Sequence, residues 1–195
     1  PPLYAELQQI GLAQPGAGTI VDVVACPGTD TCKLGIASSR GLAGELRERM
    51  LQQTLKLDEA VKNLRIKISG CFNSCGQHHV ADIGFYGNSR NVNGYTVPHF
   101  QVILGGKWVE NAGSYGLAMG SVPSKRIPEL IENLTGKWVL ERNGDETFQA
   151  YCLRLGKKAL KAVIDQFTHV PPHDTDASYY SDWGDPREFT IGDMG

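Results

Sequence analysis

Four of the five cysteines fall into two close pairs, Cys26 with Cys32 as C-x5-C and Cys71 with Cys75 as C-x3-C, each beside glycine. Two short loops at one sheet edge can bring four thiolates to a common point, which is what a four-iron cubane needs. Pro27-Gly28 and Gly76 let the main chain bend close to the sulfurs, leaving amide N–H groups to stabilise negative charge there. Two other chemistries are open to the same residues. Structural zinc takes four thiolates, although its pairs usually leave two to about four residues between ligands and the first pair here leaves five. Two disulfides fit the count, but nothing in the chain implies an oxidising compartment. Cys152 stands apart: it shares an apolar helical face with Phe148 and Leu155 and reads as a buried core thiol. His78 and His79 follow Cys75 with ligand chemistry of their own. Since four thiolates already complete a cubane, they read as supporting donors, as cations facing cofactor carboxylates, or as structural residues. Ser74 and Asp82 share that range.

The elements that must position these residues show in the hydrophobic pattern. Gln14-Pro15-Gly16-Ala17-Gly18 is a loop signal, and the β-branched run Thr19–Val24 after it predicts a strand leading to Cys26. Leu64–Ile68 alternates strictly and predicts a half-buried strand leading to Cys71. Val80–Tyr86 and His99–Leu104 predict further strands, the latter turned by Gly105-Gly106. Leu42, Leu46 and Met50 recur every fourth residue behind Ser38-Ser39, an amphipathic helix with serine at its start. Three more helical patterns run through Ile127–Leu134, Phe148–Leu155 and Leu160–Phe167. The expected fold is α+β, a mixed or antiparallel sheet of about five strands with helices packed on one face and the cysteine loops at one edge.

Composition excludes more than it names. The 195 residues are 41% hydrophobic and 21% charged, ordinary for a globular chain. Residues 168–195 hold six acids against Arg187, which leaves the body slightly basic despite the net charge of -2. No concentrated basic face suggests nucleic acid, and no apolar run suggests a bilayer span or signal peptide. The expectations are therefore a cytoplasmic protein with no nucleic-acid or membrane partner. Gly16-Ala17-Gly18 makes a poor phosphate loop, because it precedes a strand instead of following one. Residues 1–167 read as one domain, and 168–195 as an acidic tail whose Tyr179, Tyr180, Trp183 and Phe189 are aromatic enough to dock.

Ala25-Cys26-Pro27-Gly28-Thr29-Asp30-Thr31-Cys32 and Ser69-Gly70-Cys71-Phe72-Asn73-Ser74-Cys75-Gly76-Gln77-His78-His79 resemble the cluster and sirohaem signature of the nitrite and sulfite reductase family. Lys33–Ile36 and Ala81–Phe85 fit the flanks, and Phe72 stands where the family often has proline. The resemblance covers most of residues 20–140. It implies that the fold is that family's 4Fe-4S domain, that Cys26, Cys32, Cys71 and Cys75 each bind one iron of a [4Fe-4S] cluster, and that Cys75 also bridges to the sirohaem iron. It further implies that Asn73 hydrogen-bonds the cluster sulfurs.

In the family this pair of cofactors reduces nitrite to ammonia or sulfite to sulfide in six electrons, with a donor such as ferredoxin. The anion is held by Arg and Lys residues from the amino-terminal half of the enzyme, so no catalytic residue is assigned here. Lys33 and Arg40 read as neutralising charges or surface groups. The chain looks like the carboxy-terminal half alone and is expected to be inactive by itself. A standalone 4Fe-4S electron carrier and a zinc- or disulfide-stapled interaction domain are the competing readings.

Overall fold

Two ten-residue strands, β3 (Ile83–Val92) and β4 (Tyr95–Leu104), frame the molecule. Asn93 and Gly94 join them with φ of 54° and 88°, the two-residue turn whose twist matches the strands it connects. The computed structural model describes residues 2–13, 16–53, 57–109 and 113–191. On its other side β4 pairs antiparallel with β5 (Leu117–Pro123), across a bulge at Val102 and Ile103. β3 pairs in parallel with β2 (Ile66–Ser69), and β2 in parallel with β1 (Val24–Ala25). The result is a five-stranded mixed sheet in the order β1-β2-β3-β4-β5.

Period-two alternation sorts the side chains between two faces. Ile66, Ile68, Ile83, Phe85, Phe100, Val102, Leu104 and Val122 enter one buried cluster with the helices. Helix α1 (Pro2–Gln9) buries nothing, whereas α2 (Ser39–Gln53) adds Leu42, Leu46 and Met50, and the single turn α3 (Glu59–Lys62) adds Val61. Leu130, Leu134 and Trp138 come from α4 (Ile127–Glu141), and Phe148, Leu160 and Ile164 from α5 (Phe148–Asp165). The α+β fold with helices on one face is thus the one observed. Gly156, at φ 74° and ψ 163°, breaks α5 into two helical stretches, which is why its sequence shows two separate apolar patterns.

Parallel neighbours need crossovers. β1 reaches β2 through α2 and α3. β2 reaches β3 through residues 70–82, which contain the second cysteine pair and cross the face turned away from the helices. There Lys67 Nζ donates to Gln77 Oε1 at 2.6 Å, and a Cβ on Gly84 would lie 2.0 Å from the carbonyl of His78.

The strand expected over Thr19–Val24 is a correction. Thr19 and Asp22 close turns onto Gly16 and Thr19 at 3.0 and 2.9 Å, and only Val24–Ala25 joins the ladder. The β-branched Ile20 and Val21 fill the core instead of pairing. The strand expected from Val80 begins at Ile83, because His78–Val80 form a 3-10 turn. Gln14 and Pro15 of the expected loop lie outside the described residues. Beyond α5 the chain lies against the body: Tyr180 is buried, its hydroxyl donates to Pro171 O at 2.8 Å, and it meets Tyr95 of β4 edge-on beside a stacked His173. No described helix is long and apolar enough to cross a membrane.

Asp82, at the foot of β3, accepts the Arg65 N–H at 2.7 Å and the side-chain amide of Gln149. Burial pushes its carboxyl up to about 6, against the opposing pull of Arg65. Close by, burial and the Asp82 charge push the Cys152 thiol up to about 12, which fits a core thiol. The folded chain therefore holds the Asp82 proton more tightly than the unfolded chain, so stability falls as pH rises from the ordinary aspartate value through about 6. Asp82→Asn is expected to remove that part of the fall, gaining roughly 1–3 kcal/mol on wild type at pH 7 and losing the advantage near pH 4. Urea unfolding of both proteins across this range checks it.

Candidate functional site

Cys26 follows β1 directly, and its N–H donates to Ile68 O at 3.1 Å, so the first loop leaves the sheet already bonded to the strand that carries the second. Its sulfur accepts the Gly70 N–H at 3.1 Å and lies 3.5 Å from Ser39 Oγ. The Ser39 hydroxyl also donates to Cys26 O at 2.8 Å. A 3-10 turn over Gly28–Asp30 carries the chain to Cys32, whose N–H returns to Gly28 O at 3.0 Å.

The two loops meet main chain to main chain. A Cβ on Gly70 would sit 2.6 Å from Gly28 Cα, and one on Gly35 would sit 2.7 Å from Gly28 C. Gly28 itself has φ of +58°, with Ser39 Oγ 2.3 Å from where its Cβ would be. The N–H groups of Ile36 and Ala37 both donate to Gly70 O, at 2.8 and 3.1 Å. The residue preceding Cys71 is thereby held from both sides by the loop bearing Cys26 and Cys32.

The second loop folds back on the end of β2. Ser74 and Gln77 adopt left-handed φ of 59° and 60°, and Gly76 N–H donates to Ser69 Oγ at 3.0 Å. Ser69 Oγ also bonds His78 Nδ1 at 2.8 Å, and the His78 ring lies against His79 and Tyr86. Burial, reinforced by His79, lowers the His78 pKa to about 4, so this imidazole is neutral. It braces the loop from beneath, which suits the structural role among the readings open to it.

Exposure runs in one direction. Cys71 is buried, Cys26 and Cys32 are partly exposed, and Cys75 is exposed. Leu34 and Phe72 stand out from the same loops at 63% and 67% exposure. Asn73 is exposed between the second pair of cysteines, Lys33 is exposed beside the first, and Arg40 in the first turn of α2 pairs with Asp30 of the first loop at 3.5 Å.

All five cysteines are free. Among the described residues no three His, Cys, Asp or Glu side chains gather as ligands of one metal ion. A cubane makes a different demand, one thiolate at each of four separate irons, and four thiols on two mutually braced loops match that donor set. Sequence reasoning found the cysteines but missed Ser39 and Gly70, whose roles depend on contacts far along the chain.

Two cysteine loops are thus locked to the parallel edge of a mixed sheet. The chain belongs to the nitrite and sulphite reductase 4Fe-4S domain family, whose model matches residues 16–170. It is 34% identical over 166 residues to "Sulfite reductase [ferredoxin] 1" of Mycolicibacterium paratuberculosis, covering 82% of this chain and 29% of that protein. It is 26% identical over 161 residues to the assimilatory ferredoxin-dependent nitrite reductase of Haloferax mediterranei, covering 80% and 27%. The solved structure of Mycobacterium tuberculosis NirA matches with a TM-score of 0.71 at 29% identity, over 82% of this chain and 30% of that one. Dissimilatory sulfite reductase I, at 14% identity and a TM-score of 0.56, shares the fold. The chain thus spans less than a third of the length of these curated relatives.

Gly70→Ala places a methyl group against main-chain atoms that cannot turn aside, and is expected to cost roughly 1–3 kcal/mol or more. Gly44→Ala, in α2 with nothing within 4 Å of its Cβ, is expected to gain up to ~1 kcal/mol instead. Denaturant unfolding of the pair reads the contrast.

Proposed function

We propose that this chain is the cluster-bearing part of a reductase that carries six electrons to nitrite or sulfite. Cys26, Cys32, Cys71 and Cys75 each bind one iron of a [4Fe-4S] cluster, and the Cys75 sulfur is also the proximal ligand of a sirohaem. What supports this reading is the locking of two cysteine loops at Gly28 and Gly70, with Cys75 the exposed member of the set. A cluster held by these four residues would supply electrons one at a time, and a sirohaem held at Cys75 would present them to the anion.

The chain's own residues do the rest. Gly70 N–H donates to the Cys26 sulfur and fixes its direction at the loop edge. Asn73, exposed in the second loop, would bond cluster sulfur and tune its potential. Leu34 and Phe72 supply apolar rim for a large macrocycle and for the remainder of the enzyme. The donor is a ferredoxin, the electron source named for the M. paratuberculosis and H. mediterranei relatives. The anion-binding cations belong to the amino-terminal half of such an enzyme. Residues 1–167 make up the cluster domain, and 168–195 its acidic, aromatic-containing carboxyl-terminal tail, which straps the body over its described part.

Anaerobic reconstitution is expected to load about four iron and four sulfide per chain. Cys75→Ser is expected to lose most of that charge-transfer absorption, while Cys152→Ser keeps it. One zinc per chain, with no labile sulfide, would establish the interaction-domain reading instead. Added sirohaem is expected to bind weakly and to give no nitrite-dependent or sulfite-dependent dye oxidation, because one face of the macrocycle stays in water.

A further inference from the structure

The segment after α5 carries a buried acid, Asp182, beyond the family match that stops at residue 170. Asp182 is 6% exposed, and burial pushes its carboxyl above the ordinary range. A buried carboxylate is costly unless its oxygens are bonded, and these are. Oδ2 accepts the Ser38 N–H at 2.7 Å across 144 residues of chain. Oδ1 accepts the Ser124 hydroxyl at 2.9 Å and the Trp183 N–H at 2.8 Å. Trp183 completes the anchor: its indole N–H donates to Ser124 O at 3.0 Å, and Lys125 Nζ lies 4.1 Å over its ring while donating to Asp182 O at 3.3 Å.

Ser38 opens α2, with its Oγ accepting the Gly41 N–H at 3.2 Å as a helix cap does. The carboxylate therefore sits at the positive end of the helix dipole. The next residue is Ser39, which holds the carbonyl and the sulfur of Cys26 and packs on Gly28. We infer that Asp182 is a positioning residue for Cys26, and that the carboxyl-terminal strap fixes the first cysteine loop through the start of α2. The consequence for a cluster rests on the reading of Cys26 as a ligand. The consequence for the loop does not.

Two variants test the path. Asp182→Asn removes the charge and replaces one acceptor by a donor. Gly41→Ala keeps Asp182 but places a Cβ 2.1 Å from the main-chain oxygen of Trp183 and 2.6 Å from Ser38 Oγ, wedging the strap away from the start of α2. Amide hydrogen exchange over residues 26–39 of the whole chain is expected to speed up about tenfold or more in both, as loss of a charged hydrogen bond does, while exchange in β3 and β4 holds. In the reconstituted chain, iron release to a chelator is expected to accelerate by a similar factor and the cluster potential to shift. Wild-type exchange in residues 26–39 for both variants would overturn the inference, and so would faster exchange spread uniformly over the chain. A wild-type chain that takes up no cluster would sink the ligand reading, leaving the exchange comparison to decide the role of the strap.

Discussion

Everything at the cysteine edge depends on one contact between two stretches of main chain, Gly28 against Gly70. A side chain at Gly70 would have to occupy space held by Gly28 Cα, which no rotamer avoids. The closeness serves a purpose. β1 and β2 share only two registered pairs, Val24 with Lys67 and Ala25 with Ile68, too short a ladder to fix two loops beyond it. The bonds from Cys26, Ile36 and Ala37 to Ile68 and Gly70 continue the pairing past the end of β1, so loop and sheet edge hold each other.

The second loop is positioned by topology. Because β2 and β3 are parallel, the chain after Ser69 must travel back along the sheet, and it does so on the face the helices leave open. Gly84, lacking a Cβ, lets the His78 carbonyl approach, while Ser69 and the neutral His78 hold the underside. Core and site are thus segregated by the sheet. Aliphatic packing stabilises one face, and the thiols line the sheet edge, graded from buried Cys71 to exposed Cys75. Under the proposed function that segregation matters, since a thiolate shared by two cofactors has to be accessible from outside.

What could be read from sequence divides by the range of the interaction responsible. The cysteine pairs, the serine start of α2 and its Leu42, Leu46 and Met50 stripe are local patterns and were legible. So was the break in α5, because each half carries its own apolar period. The strand expected at Thr19–Val24 failed because β-branched residues suit a buried turn as well as a ladder, and the core claimed Ile20 and Val21. β5 went unseen because Ala118, Gly120 and Ser121 have little strand preference; β4 recruits it. Asn93-Gly94 did carry a hairpin signal that would have set the ends of β3 and β4. The bond from Ser38 to Asp182 carries no local signal at all.

That long bond also ties the matched family core to residues beyond it. A helix start leaves N–H groups that must find acceptors, and a buried one without a partner costs about 1–3 kcal/mol. Ser38 is buried, and the acceptor for its N–H comes from residue 182, outside the matched 16–170. In this chain the start of the helix that steadies the first cysteine loop is therefore completed from beyond residue 170. A chain ending near residue 170 would have to expose that N–H to water or supply another anion there. Here the strap supplies it, and the same carboxylate that satisfies the helix ties Ser124 and Trp183 to the loop that carries Cys26.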